Sequence, residues 1–380
     1  MGSHHSCILT SSGDTWCWGG NWAGQLGSLP SATSACSSLC SFPCSTSPVR
    51  VEAPPFIQIV GRGATTCGLS TSGVHCWGAA LGAPPECARP RGCPDQSETG
   101  ACESQYRAAQ YPELRGAVTI TIGDGVLCGR FADGRWKCGG DIQRESMGIC
   151  RNPGGALEGQ NLVDLIGSDP GIDELALGPD FSCFRRGSDV QCLGRNHRGS
   201  IGLRGLHGPC VGAESAVQLP GRWKHVVVLE NNTCLTSVDG AAFCIGDPQS
   251  GIPSLSLPSL VASSETEDPE SESPLDELLR ATPTPVMVAS DIEALAGSRH
   301  WLCGRSTRGD VRCAENFGGP TCTPLARLLE TGDAHACLVT FDNKIFCWGR
   351  NVSGACGLAM DSEVAVETLI APPTNVLFPL

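Results

Sequence analysis

Twenty-four cysteines in 380 residues are the groups with the plainest chemistry in this sequence, and their spacing says what that chemistry is. Cys337 and Cys347 stand ten apart, so a three-residue loop centred on Asp342 sets them opposite one another across an antiparallel pair, where two thiols can close a disulfide. The third residue of such a loop must accept positive φ, and here it is Asn343. The same count on Cys7 and Cys17, Cys128 and Cys138, Cys234 and Cys244, and Cys303 and Cys313 puts Gly13, Gly134, Gly240 and Gly309 at that position. Cys67 and Cys76, like Cys183 and Cys192, are nine apart and need an even-numbered loop. Gly187-Ser188 fits a two-residue turn in the latter; in the former, Thr71-Ser72 and the four-residue Ser70 to Gly73 both remain open. Seven hairpins use fourteen of the cysteines.

The other candidates for chemistry are weaker. Cys36, Cys40 and Cys44, four apart in turn, could converge on zinc or an iron cluster, but the spacing fits no standard site and loop disulfides are expected instead. The ten cysteines outside the hairpins form an even set, consistent with five further bridges, of which Cys322 with Cys356 is the pair expected from adjacent loops. His5 and His335 recur two residues before a hairpin cysteine, which assigns them to bonding a neighbouring repeat rather than to acid/base work. No Gly-x-Ser-x-Gly elbow, HExxH or complete phosphate-binding loop is present, and Asp173-Glu174 has no second catalytic group beside it. No catalytic residue, metal or cofactor is therefore assigned. Trp18, Trp77 and Trp348 each follow a second hairpin cysteine and read as packing residues, whereas Trp22 departs from that register and is expected to be exposed, as a binding residue.

Elements that could hold these hairpins follow from the repeat. The first cysteines lie at 7, 67, 128, 183, 234, 303 and 337, a spacing of about 54 residues on average. With 48 Gly, 27 Pro and 5% aromatics, the chain is built of short strands and turns, and an all-β fold follows. Apolar runs precede the hairpins, as in Phe56 to Val60, Val118 to Ile122, Trp223 to Leu229, Ile292 to Leu295 and Ala326 to Leu329, and second β-like runs lie upstream at Pro48 to Val51, Ala216 to Leu219 and Pro285 to Val288. Four strands per repeat is the unit of a propeller blade. A Gly-Asn-Gly pattern follows the hairpin, clearest from Trp18 to Gly27 and echoed from Gly194 to Gly202 and from Gly349 to Gly357; it lacks the helix and lysine of a phosphate loop.

The HxCxL, Gly, CWGxN and GQLG series resembles the repeats of the regulator of chromosome condensation family, which form a seven-bladed β-propeller. The resemblance covers essentially all 380 residues as a single domain, close in the first and seventh repeats, fair in the second and fourth, and degraded in the third, fifth and sixth. The paired cysteines resemble the cysteine-rich, exported bacterial branch, whose secreted members include β-lactamase inhibitors. The nuclear member, a nucleotide exchange factor for a small GTPase that docks on chromatin, implies a role that an acidic, disulfide-patterned chain matches poorly.

Net charge of −13 and pI near 5.0 argue against nucleic-acid binding, which needs a basic face. The cysteines point to an oxidising location, extracellular, periplasmic or on the cell surface; no run of 18 apolar residues exists, and the export signal this reading requires is not among these residues. Long insertions interrupt the period at 28–47, 79–117 and 263–277. The last holds seven acidic residues and no basic one, and is expected to be solvated and disordered. Arg89, Arg91, Arg107 and Arg115 are expected to form a local basic patch for a protein or polyanionic envelope partner. The reading is a monomeric, exported, non-enzymatic scaffold or inhibitor; the alternatives are a nucleotide exchange factor and an enzyme with a loop-built site. Finally, Val364 to Pro373 followed by Thr374 to Phe378 parallels Val49 to Pro55 followed by Phe56 to Val60, so the C-terminal strand is expected to close the first blade.

Overall fold

The computed structural model describes residues 1–28, 34–35, 43–81, 104–143, 145–151, 157–158, 162–203, 207–247, 285–298, 302–313, 323–333, 335–351, 353–357 and 369–376. Cys36, Cys40, Cys87, Cys93, Cys102, Cys322, Arg89, Arg91 and the acidic run lie outside them. The described residues form seven antiparallel sheets of three or more strands, each built around one cysteine hairpin. The second sheet sets the pattern: an inner strand (Phe56–Arg62), the hairpin (Thr65–Ser70 and Gly73–Ala79) and an outer strand (Ser104–Tyr111). The other inner strands are Ala117–Ile122, Glu174–Leu177, Trp223–Val228, Ala294–Gly297 and Ala326–Thr331. The first sheet begins at its hairpin, His5–Leu9 and Thr15–Gly20, with Pro43–Arg50 outside it.

Each hairpin sets its two cysteines directly opposite one another, as the spacing requires, and a disulfide joins them. Cys7 is bonded to Cys17, Cys67 to Cys76, Cys128 to Cys138 and Cys183 to Cys192. Farther along the chain Cys234 is bonded to Cys244, Cys303 to Cys313 and Cys337 to Cys347. All seven have Cα separations of 4.0 to 4.1 Å, the close approach of a non-hydrogen-bonded antiparallel pair. The turn positions counted from the cysteines have positive φ, at 86° for Gly13 and 62° for Asn343. Ser70 pairs with Gly73, so the turn that the spacing left open is the two-residue Thr71-Ser72. Arg186 pairs with Asp189 around Gly187-Ser188 in the same way.

The sheets follow one another round a ring, the inner strand of each packing on that of the next, and side-chain bonds tie neighbours together. His5 Nε2 lies 2.6 Å from Thr66 Oγ1 of the second sheet, and His335 Nε2 of the seventh lies 2.8 Å from Ser6 Oγ of the first. The Trp18 indole donates to Ala355 O at 2.9 Å, and Trp77 donates to Gln25 O at 2.9 Å, so the tryptophan after the second cysteine reads the glycine turn of the preceding sheet. Asn21, Asn196 and Asn351 hold those turns from inside, each Oδ1 accepting the backbone N–H five residues on. Farther round, Gln58 bonds both the N–H and C=O of Ile120, and Arg62 meets Asp124 at 2.8 Å with both side chains largely buried. A further disulfide, Cys150–Cys210, links the segment after the third hairpin to the outer strand of the fourth sheet.

Three expectations are overturned. Leu369–Val376 does not close the first sheet: it is the outer strand of the seventh, with Thr374 opposite Cys347 and Val376 opposite Ile345. The chain leaves Arg350 and re-enters at Leu369 directly across from it, so the nearest free edge is the outer one, as it is for Ser104–Tyr111 in the second sheet. Cys356 is a free, buried thiol, which removes both its pairing with Cys322 and the count of five extra bridges. Trp22 is only 8% exposed; its ring folds back over Gly20, where a Cβ would overlap it, packs with Ala23, Cys44, Ala64 and Ala79, and lies edge-on to His4 at 5.3 Å.

Burial keeps His5 and His335 neutral, pulling His5 well below the usual histidine range and His335 down to about 3. Both folded values lie below the unfolded value of about 6.5, so the unfolded chain binds the extra protons. Stability from these rings is whole above about pH 6.5 and is lost as pH falls toward the folded values, by roughly 1.4 kcal/mol per pH unit for each ring. The urea midpoint should hold steady above neutrality and decline from about pH 6 to 4, with a shallower decline in His335→Gln. Trp22→Ala should cost about 3 to 5 kcal/mol in the same measurement, as befits a core residue at the junction of the first two sheets; an exposed tryptophan would cost almost nothing.

Candidate interaction surfaces

The strand order gives the ring two unlike ends. In each four-stranded sheet the hairpin turn lies at one end, and the connection between the second hairpin strand and the outer strand lies at the other. Gly20 pairs with Cys44, Ala79 with Ser104 and Arg350 with Leu369, and Gly246 leads to Val286, so these four excursions are anchored at the end away from the turns. The insertions expected at 28–47 and 79–117 are shorter than the spacing implied, because Pro43–Arg50 and Ser104–Tyr111 are outer strands and Pro112–Leu114 is a 3-10 turn. Cys44 is disulfide-bonded, which removes it from the candidate metal trio.

Of the four arginines expected to act together, Arg107 and Arg115 lie among the described residues. Arg107 lies within the outer strand of the second sheet, 3.8 Å from Glu52, both side chains mostly in solvent, so the pair adds little to stability. Arg115 follows the 3-10 turn at the hairpin-turn end, where a Cβ at Gly73 would come 3.8 Å from its Cα. The second half of the strand and the 3-10 turn separate the two.

The hairpin-turn end carries most of the large apolar side chains exposed among the described residues, namely Ile57, Val118, Val238, Leu325, Leu328 and Phe341. Four inner strands bulge at their first turn-end residues, skipping Ile57, Val118, Lys224 and Arg327 in the pairing. A bulge leaves the extra residue unpaired and re-aims it. Ile57 is thereby 65% exposed and Val118 53%. The sequence signal was an apolar residue placed next to an apolar first position of its strand, a pattern indistinguishable there from a two-sided buried strand.

Inside the ring runs a cavity of about 680 Å³, lined by inner strands from the second sheet to the seventh. On the side of the first sheet it reaches the hairpin strand itself, at Cys7, Ile8 and Leu9. Glu330 and Asp333 line it toward the insertion end; enclosure by the surrounding strands holds the Glu330 carboxyl above the usual range although its side chain is open to the cavity itself, and holds the Met1 amino group below its own.

Comparison with known proteins adds one sequence match and a fold. The sequence model of the regulator of chromosome condensation (RCC1) repeat matches residues 328–355, the inner strand and hairpin of the seventh sheet. No curated protein matches the chain. Among solved structures, human WBSCR16 is 16% identical with a TM-score of 0.63, the match covering 96% of this chain and 94% of that one. Prp20p from Saccharomyces cerevisiae, described with its binding properties to Gsp1p and histones, is 14% identical with a TM-score of 0.53, covering 99% of this chain and 76% of that one. Identities this low establish the fold, and the chain is accordingly a disulfide-rich, RCC1-like β-propeller that carries an RCC1 repeat at residues 328–355.

Proposed function

We propose that this chain is a seven-bladed propeller acting as an exported, non-enzymatic protein-binding scaffold or inhibitor of the cysteine-rich bacterial type. Its partner is held at the end from which the insertions leave. The observation that carries the reading is the common anchoring of the excursions, between residues 20 and 44, 79 and 104, 246 and 286, and 350 and 369, all on one side of the ring. Short links suffice to join such strands, and long connections in a compact repeat fold are commonly functional. Arg89, Arg91 and Arg107 belong to one of these excursions or to its anchoring strand and form the basic element of the contact; Arg115, at the other end, takes no part in it. Trp22 contributes through the packing that holds the root of its loop, not by touching the partner.

Export is supported by eight disulfides among the described residues, a chemistry that nuclear and cytosolic thiol pools reverse. The same point weighs against the second reading, nucleotide exchange on a GTPase. Binding of Gsp1p and histones by Prp20p supports only the use of such a ring for holding proteins.

Replacing residues 29–42 and 82–103 by short Gly-Ser links should leave the melting transition close to that of the intact protein and abolish capture of partners from the native envelope or medium. A stably folded double-loop variant that captures the same partners would falsify the assignment to the insertion end.

A further inference from the structure

Among the five hairpins whose cysteines stand ten apart, one turn carries a side chain that the fold does not use. Ser12, Asp133 and Asp342 stand directly before the positive-φ position of their turns, and each bonds within its own turn, as Asp133 Oδ1 does in accepting the Arg135 N–H at 3.0 Å. In the sixth sheet that place is held by Arg308, followed by Gly309 at φ 95° and by Asp310. Arg308 and Asp310 are exposed, and the guanidinium has no hydrogen-bond or ion-pair partner among the described residues. Ser306 closes the turn instead: its hydroxyl accepts the N–H of Arg308 at 3.2 Å and of Asp310 at 3.1 Å, and donates to Asp310 Oδ2 at 3.1 Å. Glycine at 309 is a demand of the fold, since a Cβ there would come 2.9 Å from Ala326 O and 3.0 Å from the Phe341 ring. An arginine before it is not.

We propose that Arg308-Gly309-Asp310 is a second binding site, a rigid two-charge hook for an adhesion receptor that seats the guanidinium against a carboxylate and takes the Asp310 carboxylate as ligand of a receptor-held divalent cation. Charge selects this occupant. A plain anion at Arg308 is opposed by Asp310 and by Asp291, whose Oδ1 accepts from Thr307 Oγ1 of the same turn at 3.0 Å, and a plain cation at Asp310 is opposed by Arg308. A partner that offers both signs in matching order satisfies both side chains: a guanidinium pairs with a carboxylate as a fork, and a carboxylate oxygen is an ordinary ligand of magnesium or calcium. Asp310 Oδ1 accepts no hydrogen bond among the described residues. The turn is held on both sides before a partner arrives, by the Cys303–Cys313 bridge across its stem and by Gly309 O, which accepts the Ala326 N–H of the seventh sheet at 2.8 Å, so little chain entropy is lost on binding. Phe341, 60% exposed beside Gly309, and Leu325, 51% exposed next to Ala326, add apolar area to the contact. The hook stands at the hairpin-turn end and is independent of the contact proposed for the insertion end.

Attachment of cultured animal fibroblasts to surfaces coated with the intact protein tests the hook. Cells should attach in magnesium-containing buffer, and attachment should fall about tenfold or more on adding EDTA or the soluble peptide Gly-Arg-Gly-Asp-Ser, whereas Gly-Arg-Gly-Glu-Ser should leave it unchanged. Asp310→Glu keeps the charge and moves the carboxylate by one methylene; it and Arg308→Ala should each lower attachment about tenfold or more with the melting transition unchanged, since both side chains are exposed. Arg312→Ala, at an exposed arginine two residues beyond the turn, should attach like the intact protein. The double-loop variant described above should do the same, so failure of the insertion-end contact and failure of the hook are distinguishable. No attachment at saturating coating density, attachment that persists in EDTA, or full attachment to Asp310→Glu would overturn the proposal.

Discussion

Everything in this ring depends on the register of seven cross-strand cysteine pairs. A strand slipped by one residue turns all its side chains to the opposite face, and short strands with few aromatic residues have little packing with which to resist the slip. A disulfide between directly opposed residues, such as Cys7 and Cys17 or Cys234 and Cys244, forbids it. Each closes a small loop and contributes roughly 2 to 3 kcal/mol by restricting the unfolded chain. With the register held, the tryptophan after the second cysteine points toward the preceding sheet, and Trp18 and Trp77 each donate to a turn carbonyl there. The histidine two before the first cysteine likewise always meets the next sheet, as His5 and His335 do. Register within a sheet thus becomes adhesion between sheets.

Much of this was legible in the sequence because it is local. A spacing of ten with Gly or Asn at one loop position admits one hairpin geometry, and it holds even where the repeat signature after the second cysteine is lost, as beyond Cys138 and Cys313. The apolar runs before the cysteines became the inner strands. What escaped involved a choice between equivalent edges. Residues 369–376 look like the stretch that precedes the second hairpin, but an outer and an inner strand share the same alternation, and only the point where the chain re-enters decides between them. Trp22 looked exposed because it broke the tryptophan register; its burial depends on a gap above Gly20 and on alanines from the second sheet, none adjacent in sequence. Arg107 and Arg115 look like members of one cluster, but half a strand and a 3-10 turn set Arg115 at the hairpin-turn end and leave Arg107 in mid-strand.

The two ends of the ring answer to different demands. At the hairpin-turn end the chain is tightly constrained: turns of two or three residues, bulges at a shared position, inner strands in contact. At the insertion end the connections begin and end on paired residues, so their length is decoupled from the sheets. Loop closure becomes only slowly more expensive with length, and such connections can be lengthened with modest effect on the ring. The acidic, polar composition of 263–277 is compatible with that freedom.

Cys356 gives the last repeat a hazard that the finished fold conceals. In the native chain its thiol is buried near the carbonyls of Gly349 and Arg350, and burial pushes its pKa up to about 12. At neutral pH only on the order of one molecule in 100,000 would then carry the reactive thiolate, against a few per cent for an ordinary cysteine. The nascent chain has no such protection. Cys356 lies nine residues after Cys347, the same interval that separates Cys67 from Cys76 and Cys183 from Cys192 in genuine bridges. Cys347 therefore has two suitors at almost equal contour distance, Cys337 behind it and Cys356 ahead. Thiol–disulfide exchange is reversible, so a bridge to Cys356 can be traded for the native one, and the hairpin that sets Cys337 directly opposite Cys347 selects the final pairing.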